Sequence, residues 1–177
     1  MTKKQKFIIK MAVTAMLIAV ATILNRVGAI TTPDLKIGFS FIPIMVCGMM
    51  FGPVWGGLCG GLADLLAAIL MPIGIPHLGI TFTAFLSGVI YGILGVVFSK
   101  LKNPFAFSAV AAAFVVLEKL LCTLALNSLW ISQLSGAPYL SQMAVRIPQA
   151  AILLVPEIVL AILVKLFVLP KIEKFKK

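Results

Sequence analysis

Acidic side chains are scarce in this sequence. Its 177 residues include 5 Asp and Glu against 15 Lys and Arg, and charged residues make up only 11% of the chain. A soluble domain has about 25% charged residues, so the chain lacks the polar surface that a water-soluble fold of this size would expose. Hydrophobic residues make up 62% of it and the mean hydropathy is +1.16, which indicates a protein of the lipid bilayer.

Motifs for catalysis and for metal binding are also missing. The sequence contains no HExxH, no GxSxG, no paired acidic motif of the kind that lipid phosphotransferases need and no Gly-Lys phosphate loop. Cys47, Cys59 and Cys122 lie inside apolar runs without CxxC or Cys/His spacing, which is typical of small core residues. We therefore expect no enzyme, no bound metal and no cofactor. If the chain takes part in active transport, ATP hydrolysis must come from another chain.

Six apolar runs reach, or nearly reach, the length of about 20 residues that crosses a bilayer. They are 7–28, 39–52, 54–70, 80–99, 105–130 and 145–169. The Gly52-Pro53 turn separates the short second run from the third, so these two are predicted to form an antiparallel helical hairpin. The sequence predicts an all-α polytopic membrane protein, with six transmembrane helices in one bundle and one domain over residues 1–177.

The excess of positive charge lies beside the apolar runs. Lysines cluster at both chain ends and in the loop that holds Lys100 and Lys102. Because cytoplasmic loops are rich in Lys and Arg, six spans place both termini and this loop in the cytoplasm. The same arrangement favours lipid headgroups over nucleic acid as a partner. Arg26 and Arg146 are exceptions, because they lie at the predicted outer ends of the first and last spans.

Polar side chains are expected to meet near these outer ends. By the 3.6-residue helical period, the side chains that reach a similar depth are Asn25, Arg26, Asn127, Trp130, Arg146 and Gln149. Guanidinium groups bind carboxylates through two hydrogen bonds, and Trp130, with Phe82 or Tyr139, could stack on a flat ring. We predict an outward-facing cavity for an anionic aromatic molecule. The alternative is that both arginines anchor to outer-leaflet phosphates.

Other ionisable side chains lie within the spans, where charge is costly. Glu118, Lys119 and Glu157 are interpreted as a structural ion pair near the middle of the membrane. Asp64 is expected to point into the bundle, where it either caps packed backbone or contacts a ligand. His77 is a lone loop histidine and is expected to be exposed.

Small residues recur at three- and four-residue spacing in three spans. They are Gly56, Gly57, Gly60 and Gly61 in the third span, Ala84, Gly88, Gly92 and Gly95 in the fourth, and Ala12, Ala15 and Ala19 in the first. Such stripes allow helix backbones to approach closely in lipid. Packing within the chain is the more common use of a stripe, and docking of a partner subunit is the alternative.

Several stretches of the chain resemble those of a known family. The chain resembles the substrate-binding (S) components of energy-coupling factor (ECF) vitamin transporters in LKIGFSFIPIMVCGMMFGPVWGGLCGGLADLL (35–66) and in the small stripe of the first helix. It is most similar to the folate-specific members in PIGIPHLGITFTAFLSGVIYGIL (72–94), in LNSLWIS (126–132) and around Arg146. The likeness extends over essentially the whole chain.

This resemblance implies a subunit that binds a vitamin with high affinity from outside, in the plasma membrane of a bacterium. It also implies docking on a module of one transmembrane coupling subunit and two ATPases, through a face that includes Ala12, Ala15 and Ala19. Folate has a flat pterin, an aromatic ring and two carboxylates. Arg26, Lys36 and Arg146 suit the carboxylates, and the amides of Asn127 and Gln149 suit the pterin edge.

Two alternative functions remain open, and one geometric conflict is unresolved. An S component for another vitamin such as pantothenate fits less well, since pantothenate has one carboxylate and no ring. A stand-alone secondary transporter would usually show an internal repeat, which the sequence lacks. The conflict concerns Arg26, which lies about 20° from the direction of Ala15 and Ala19 on a straight helix. It cannot readily face a cavity while those alanines face a partner.

Overall fold

The computed structural model describes residues 2–27, 30–31, 36–72, 76–101 and 104–168. The α-helices in this part of the chain are α1 (Lys3–Arg26), α2 (Phe41–Phe51), α3 (Pro53–Leu70), α4 (Leu78–Lys100), α5 (Pro104–Glu118), α6 (Asn127–Ser135) and α7 (Tyr139–Leu163). A π-helical segment, Lys119–Leu126, joins α5 to α6, and a second one, Val164–Val168, extends α7. Two short strands, β1 (Ile30–Thr31) and β2 (Lys36–Ile37), pair antiparallel between α1 and α2.

The predicted spans correspond to helices throughout. Among the described residues, five helical stretches are long and apolar enough to cross a membrane: Lys3–Arg26, Pro53–Leu70, Leu78–Lys100, Ala106–Ser135 and Tyr139–Val168. The sixth, α2, has 11 residues and rises about 16 Å, roughly half of the hydrocarbon core. The all-α expectation therefore holds for the apolar runs, and the β1–β2 pair is a small addition in the loop at 31–38.

Local sequence explains where several helices begin and end. Thr2 and Gln5 form a capping box at the start of α1, with the Thr2 hydroxyl accepting from the Gln5 backbone N–H at 3.3 Å. Gly52 separates α2 from α3 at φ 97°, a backbone conformation that favours glycine. Pro53 then occupies the first turn of α3, where its missing N–H costs no helical hydrogen bond. The predicted hairpin at Gly52-Pro53 is confirmed.

Helices α3 and α4 pack through their glycines. A β-carbon at Gly88 would overlap the Gly56 carbonyl, and one at Gly60 would overlap the Ala84 carbonyl. Close approach of this kind requires small residues on both helices. The stripes of α3 and α4 are therefore used for packing within the chain, as the more common interpretation predicted.

Helix α4 lies between two groups of helices. Helices α1, α2 and α3 pack together on one side of it, and α5, the π segment, α6 and α7 pack together on the other. Large side chains such as Met45, Tyr91 and Phe98 are buried in the core. Cys47, Cys59 and Cys122 are buried free thiols, which confirms their interpretation as small core residues. Many large apolar side chains remain exposed, as expected where lipid is the solvent.

Candidate functional site

An elongated cavity of about 380 Å³ lies between the two groups of helices. Its lining runs from the loop residues Pro76 and His77 down to Glu157. We call the end near His77, where α1, α3 and α6 end and α4 and α7 begin, the mouth end. Along α7 the lining extends from Arg146 to Glu157, about 16 Å of helix. Small-molecule sites typically have volumes of about 300–1,000 Å³, so the cavity can hold an extended organic ligand.

Most of the predicted site residues line this cavity. They are Asn25, Arg26, Asp64, Asn127, Arg146 and Gln149, and they come from four different helices. The lining does not include Phe82, which is 55% exposed and lies in an apolar groove between α3 and α4 with Leu58 and Phe85. Its neighbours Thr81 and Thr83 face the cavity instead, so this placement does not support stacking of Phe82 on a ligand. The side chain of Lys36 lies outside the described residues.

Among the described residues that line the cavity, two buried polar atoms near the mouth end have no hydrogen-bond partner. They are the Arg146 Nε and the Asn127 Oδ1, one a donor and the other an acceptor. A buried donor or acceptor without a partner costs about 1–3 kcal/mol, so native structures rarely leave one unpaired without a reason. Both residues line the cavity, where a polar ligand can supply the missing partners.

Arg26 reaches the cavity across the end of α3. Its Nε donates to the Ala67 carbonyl at 3.2 Å, and one turn earlier the Thr22 hydroxyl approaches the Ala63 carbonyl at 3.3 Å. Helix α3 thus covers this direction of α1 near the mouth end, whereas Ala15 and Ala19 further along α1 are exposed. This resolves the conflict that the helical period raised. The face of α1 that carries Ala15, Ala19 and Arg26 is covered by α3 near the mouth end and is exposed towards the start of the helix.

Asp64 joins three helices beside the cavity. Its Oδ1 accepts from the Asn25 amide at 3.3 Å, and its Oδ2 accepts from the Thr81 hydroxyl at 2.8 Å. Both carboxylate oxygens are therefore engaged by the protein, from α1 and from α4. These contacts are with side chains, so they are not the cap on packed backbone that was one interpretation of Asp64, and they link α1, α3 and α4 at the cavity wall.

The floor of the cavity is a buried charge cluster. Lys119 Nζ lies 3.2 Å from Glu118 Oε2 and also contacts Glu157 Oε1. The Ser87 hydroxyl donates to Glu118 Oε1 at 2.8 Å, and the Tyr91 hydroxyl donates to Glu157 Oε2 at 2.9 Å. The predicted ion pair is confirmed. Sequence patterns did not predict that all three charged residues would also line the cavity.

The π-helical segment carries part of this floor. Its hydrogen bonds run to the fifth residue along the chain, as from the Asn127 N–H to the Cys122 carbonyl. The wider turn brings Lys119, Thr123 and Asn127, spaced four residues apart, to the same cavity. Stretches of π-helix inside longer helices are often found at functional sites.

Trp130 supports the mouth end from behind the lining. Its Nε1 donates to the Thr83 hydroxyl at 3.0 Å, and its ring lies 5.5 Å from the ring of His77. His77 also caps α4, with its Nδ1 accepting from the Gly79 N–H at 3.1 Å. Trp130 is not among the lining residues, whereas His77 is, and His77 is half-buried. The expectation of an exposed loop histidine was therefore wrong.

Hydroxyl side chains are the part of the lining that sequence reasoning missed. The cavity is also lined by Ser40, Thr81, Thr83, Ser87 and Thr123. Ser and Thr are common in membrane helices, where they often bond backbone carbonyls, so single residues of this kind give little signal. Ser87 is an exception, because it lies one helical turn from both Thr83 and Tyr91. These three polar side chains share a helix face, which is a weak sign of a polar site.

The chain matches a known family along almost its whole length. Residues 9–169 match the model of the ECF transporter substrate-specific component, and the chain belongs to this family. Its members are substrate-binding components of transporters and not enzymes. The proposed resemblance is thereby confirmed at the level of the family.

Named relatives point to the folate-specific branch. The folate transporter FolT of Clostridium novyi (strain NT) is 30% identical over 139 residues, which cover 78% of this chain and 77% of that protein. The crystal structure of FolT bound with folic acid matches with a TM-score of 0.74 at 29% identity, covering 88% of this chain and 93% of that chain. The S component for biotin from an ECF-type ABC transporter matches with a TM-score of 0.66 at 20% identity, covering 100% and 95%. The last similarity supports the fold alone.

Proposed function

We propose that this chain is the high-affinity substrate-binding subunit of an ECF-type transporter for folate. In this proposal the whole chain, 1–177, forms one transmembrane domain in a bacterial plasma membrane, with both termini in the cytoplasm and the mouth end outside. The observation that carries the proposal is the cavity itself. It combines a buried, unpartnered Arg146 Nε near the mouth end with a net acidic floor. The similarity to FolT supports folate as the ligand.

The charges in the cavity suit one orientation of folate. Arg26 and Arg146 lie towards the mouth end, whereas the floor holds two carboxylates and a single lysine. Folate has its two carboxylates at one end and the N–H donors of the pterin at the other. We therefore place the glutamate tail at the mouth end, with Lys36 as a further positive charge near it, and the pterin towards the floor.

The remaining predicted residues have two kinds of role in this proposal: some offer polar groups to the ligand, and others hold the cavity wall in place. Asn25, Asn127 and Gln149 offer amide groups at the cavity wall. Asp64 and Trp130 hold the wall in place through their hydrogen bonds to Thr81 and Thr83.

Docking on the ATPase module is assigned to α1. The stripe of Ala12, Ala15 and Ala19 is exposed along this helix, whereas the glycine stripes of α3 and α4 are covered by each other. Small residues on an uncovered helix face allow close approach of another helix. The proposed partner is the transmembrane coupling subunit, which in turn carries two ATPases.

Equilibrium binding of radiolabelled folate to the purified chain tests this proposal. Folate should bind, and excess pantothenate or riboflavin should not displace it, because neither combines a flat ring with two carboxylates. Displacement by pantothenate at equal concentration would show that the protein is an S component for another vitamin. Uptake by the isolated chain without an ATPase would instead favour a stand-alone secondary transporter.

A further inference from the structure

The acidic side chains that line the cavity differ in how far the protein satisfies them. In the part of the chain that the structure describes, they are Asp64, Glu118 and Glu157. Asp64 accepts from Asn25 and Thr81, and Glu157 is engaged by Lys119 and Tyr91. Glu118 alone has an oxygen, Oε2, that accepts no hydrogen bond.

Glu118 is also deeply buried. Its side chain is 6% exposed, and Oε2 lies 3.2 Å from the Lys119 ammonium without a hydrogen bond between them. Lys119 is shared with Glu157, so one ammonium group serves two carboxyl groups. An ionised carboxylate can accept about four hydrogen bonds, and Glu118 accepts one from the protein, the Ser87 hydroxyl at 2.8 Å. Burying such a group is unfavourable unless donors approach from the cavity.

We propose that Glu118 recognises the donor edge of the substrate's ring system. The matching chemical group is an amino group beside a ring N–H, as in a 2-amino-4-oxopyrimidine, because two parallel N–H groups can meet the two oxygens of one carboxylate. Ser87 orients this carboxylate, and Lys119 is a positioning residue that holds it at the floor. The inference rests on the proposed function and deepens it, since the ligand class becomes ring systems with this edge, with or without a glutamate tail.

The test compares folate with its 2-desamino-2-methyl analogue, which lacks the amino donor. Both are titrated onto the purified full-length chain as wild type, Glu118→Gln and Glu157→Gln. Glu118→Gln should weaken folate binding by about 10- to 150-fold, the range for a hydrogen bond to a charged group, and should weaken binding of the analogue by a smaller factor, because the analogue keeps only the ring N–H. Each variant leaves Lys119 one acidic partner, so the two are matched in charge.

Glu157→Gln is the comparison for a purely structural effect. Both Glu157 oxygens are engaged by the protein, so any loss of affinity should be the same factor for folate and for the analogue. Ser87→Ala provides a milder perturbation should Glu118→Gln fail to fold. It should weaken folate binding by about 2- to 10-fold, as for one neutral hydrogen bond, and should again affect the analogue less.

The outcomes separate this inference from the proposed function. Equal losses for folate and the analogue in Glu118→Gln, or in Ser87→Ala if the former does not fold, would overturn the role of Glu118 while leaving folate binding intact. Binding of a tail-less pterin that depends on Glu118, without binding of folate, would support the inference and reject folate as the substrate. Absence of binding by both folate and pterin would overturn both.

Discussion

Removal of the Arg146 guanidinium should weaken folate binding strongly and selectively. The Arg146 Nε is buried at the cavity and has no hydrogen-bond partner within the protein. A ligand carboxylate that accepts from it gains a hydrogen bond to a charged group, about 1.5–3 kcal/mol. Arg146→Ala should therefore raise the Kd for folate by roughly 10- to 150-fold. Arg146→Lys should restore part of the affinity, because it keeps the charge but loses the planar fork.

Arg26 should show a smaller effect of the same kind. Its Nε is already engaged by the Ala67 carbonyl at 3.2 Å, so fewer of its donors remain for a ligand. Truncation of Arg26 also removes this contact between α1 and α3. We expect Arg26→Ala to raise the Kd by less than Arg146→Ala does.

Equilibrium binding of folate and of a pterin without the glutamate tail distinguishes the possible roles of Arg146. If Arg146 holds the tail, Arg146→Ala loses affinity for folate and keeps its affinity for the tail-less pterin. Ile147→Ala is the matched control, because Ile147 is the next residue on α7, is 52% exposed and does not line the cavity. Equal losses for both ligands would refute the reasoning and assign Arg146 to the pterin or to the packing of the bundle.

Three further predictions concern docking, stability and energy supply. The double variant Ala15→Trp, Ala19→Trp should abolish uptake by the full complex and leave binding by the isolated chain intact, because bulky side chains prevent close approach of two helices. The control is Ala113→Trp, at an exposed position on α5. Loss of ligand binding by the double variant would assign the stripe to packing within the chain. Lys119→Met should lower the free energy of unfolding by about 3–5 kcal/mol, because it leaves two buried carboxylates without a cation. Thermal unfolding in detergent measures this loss, with Lys119→Arg for comparison. An unchanged melting temperature in Lys119→Met would contradict the prediction. Proteoliposomes that hold this chain alone should bind folate without accumulating it, and sustained ATP-driven uptake by them would be the contrary result.

The helices could be predicted from the sequence because one property dominates them. In lipid every backbone N–H and C=O group must form a hydrogen bond within the protein, and a long apolar segment satisfies this requirement by forming a helix. The turn at Gly52-Pro53 was equally clear, because a glycine followed by a proline is typical of a turn between two helices. In the structure Gly52 has a φ of 97°, and the proline stands at the first helical position. Local chemistry alone decides these features, and the sequence displays it directly.

The cavity was predictable only in part, because it depends on which helices meet. Periodicity correctly grouped Asn127, Arg146 and Gln149, whose helices pack side by side. It also grouped Trp130, which lies behind the lining. Phe82, which was named for its ring and not from periodicity, lies in an apolar groove, since α4 turns its hydroxyl side chains to the cavity. Periodicity also could not anticipate the π segment 119–126, because nothing in the sequence of that stretch marks a change from four-residue to five-residue hydrogen bonding. Such a change depends on the packing of the whole bundle.

Helix α1 links the two proposed activities while keeping their residues apart. Near the mouth end, α3 covers it, and Asn25 and Arg26 contribute to the cavity. Further along, Ala12, Ala15 and Ala19 are exposed and are not among the residues that line the cavity. A substitution in the stripe can therefore disturb docking without touching a ligand, and Arg26→Ala can weaken binding without altering the stripe. Yet both lie on one continuous helix of 24 residues. The ligand and the coupling subunit are therefore proposed to contact the same helix, at Arg26 and Ala19, which lie about 10 Å apart along its axis.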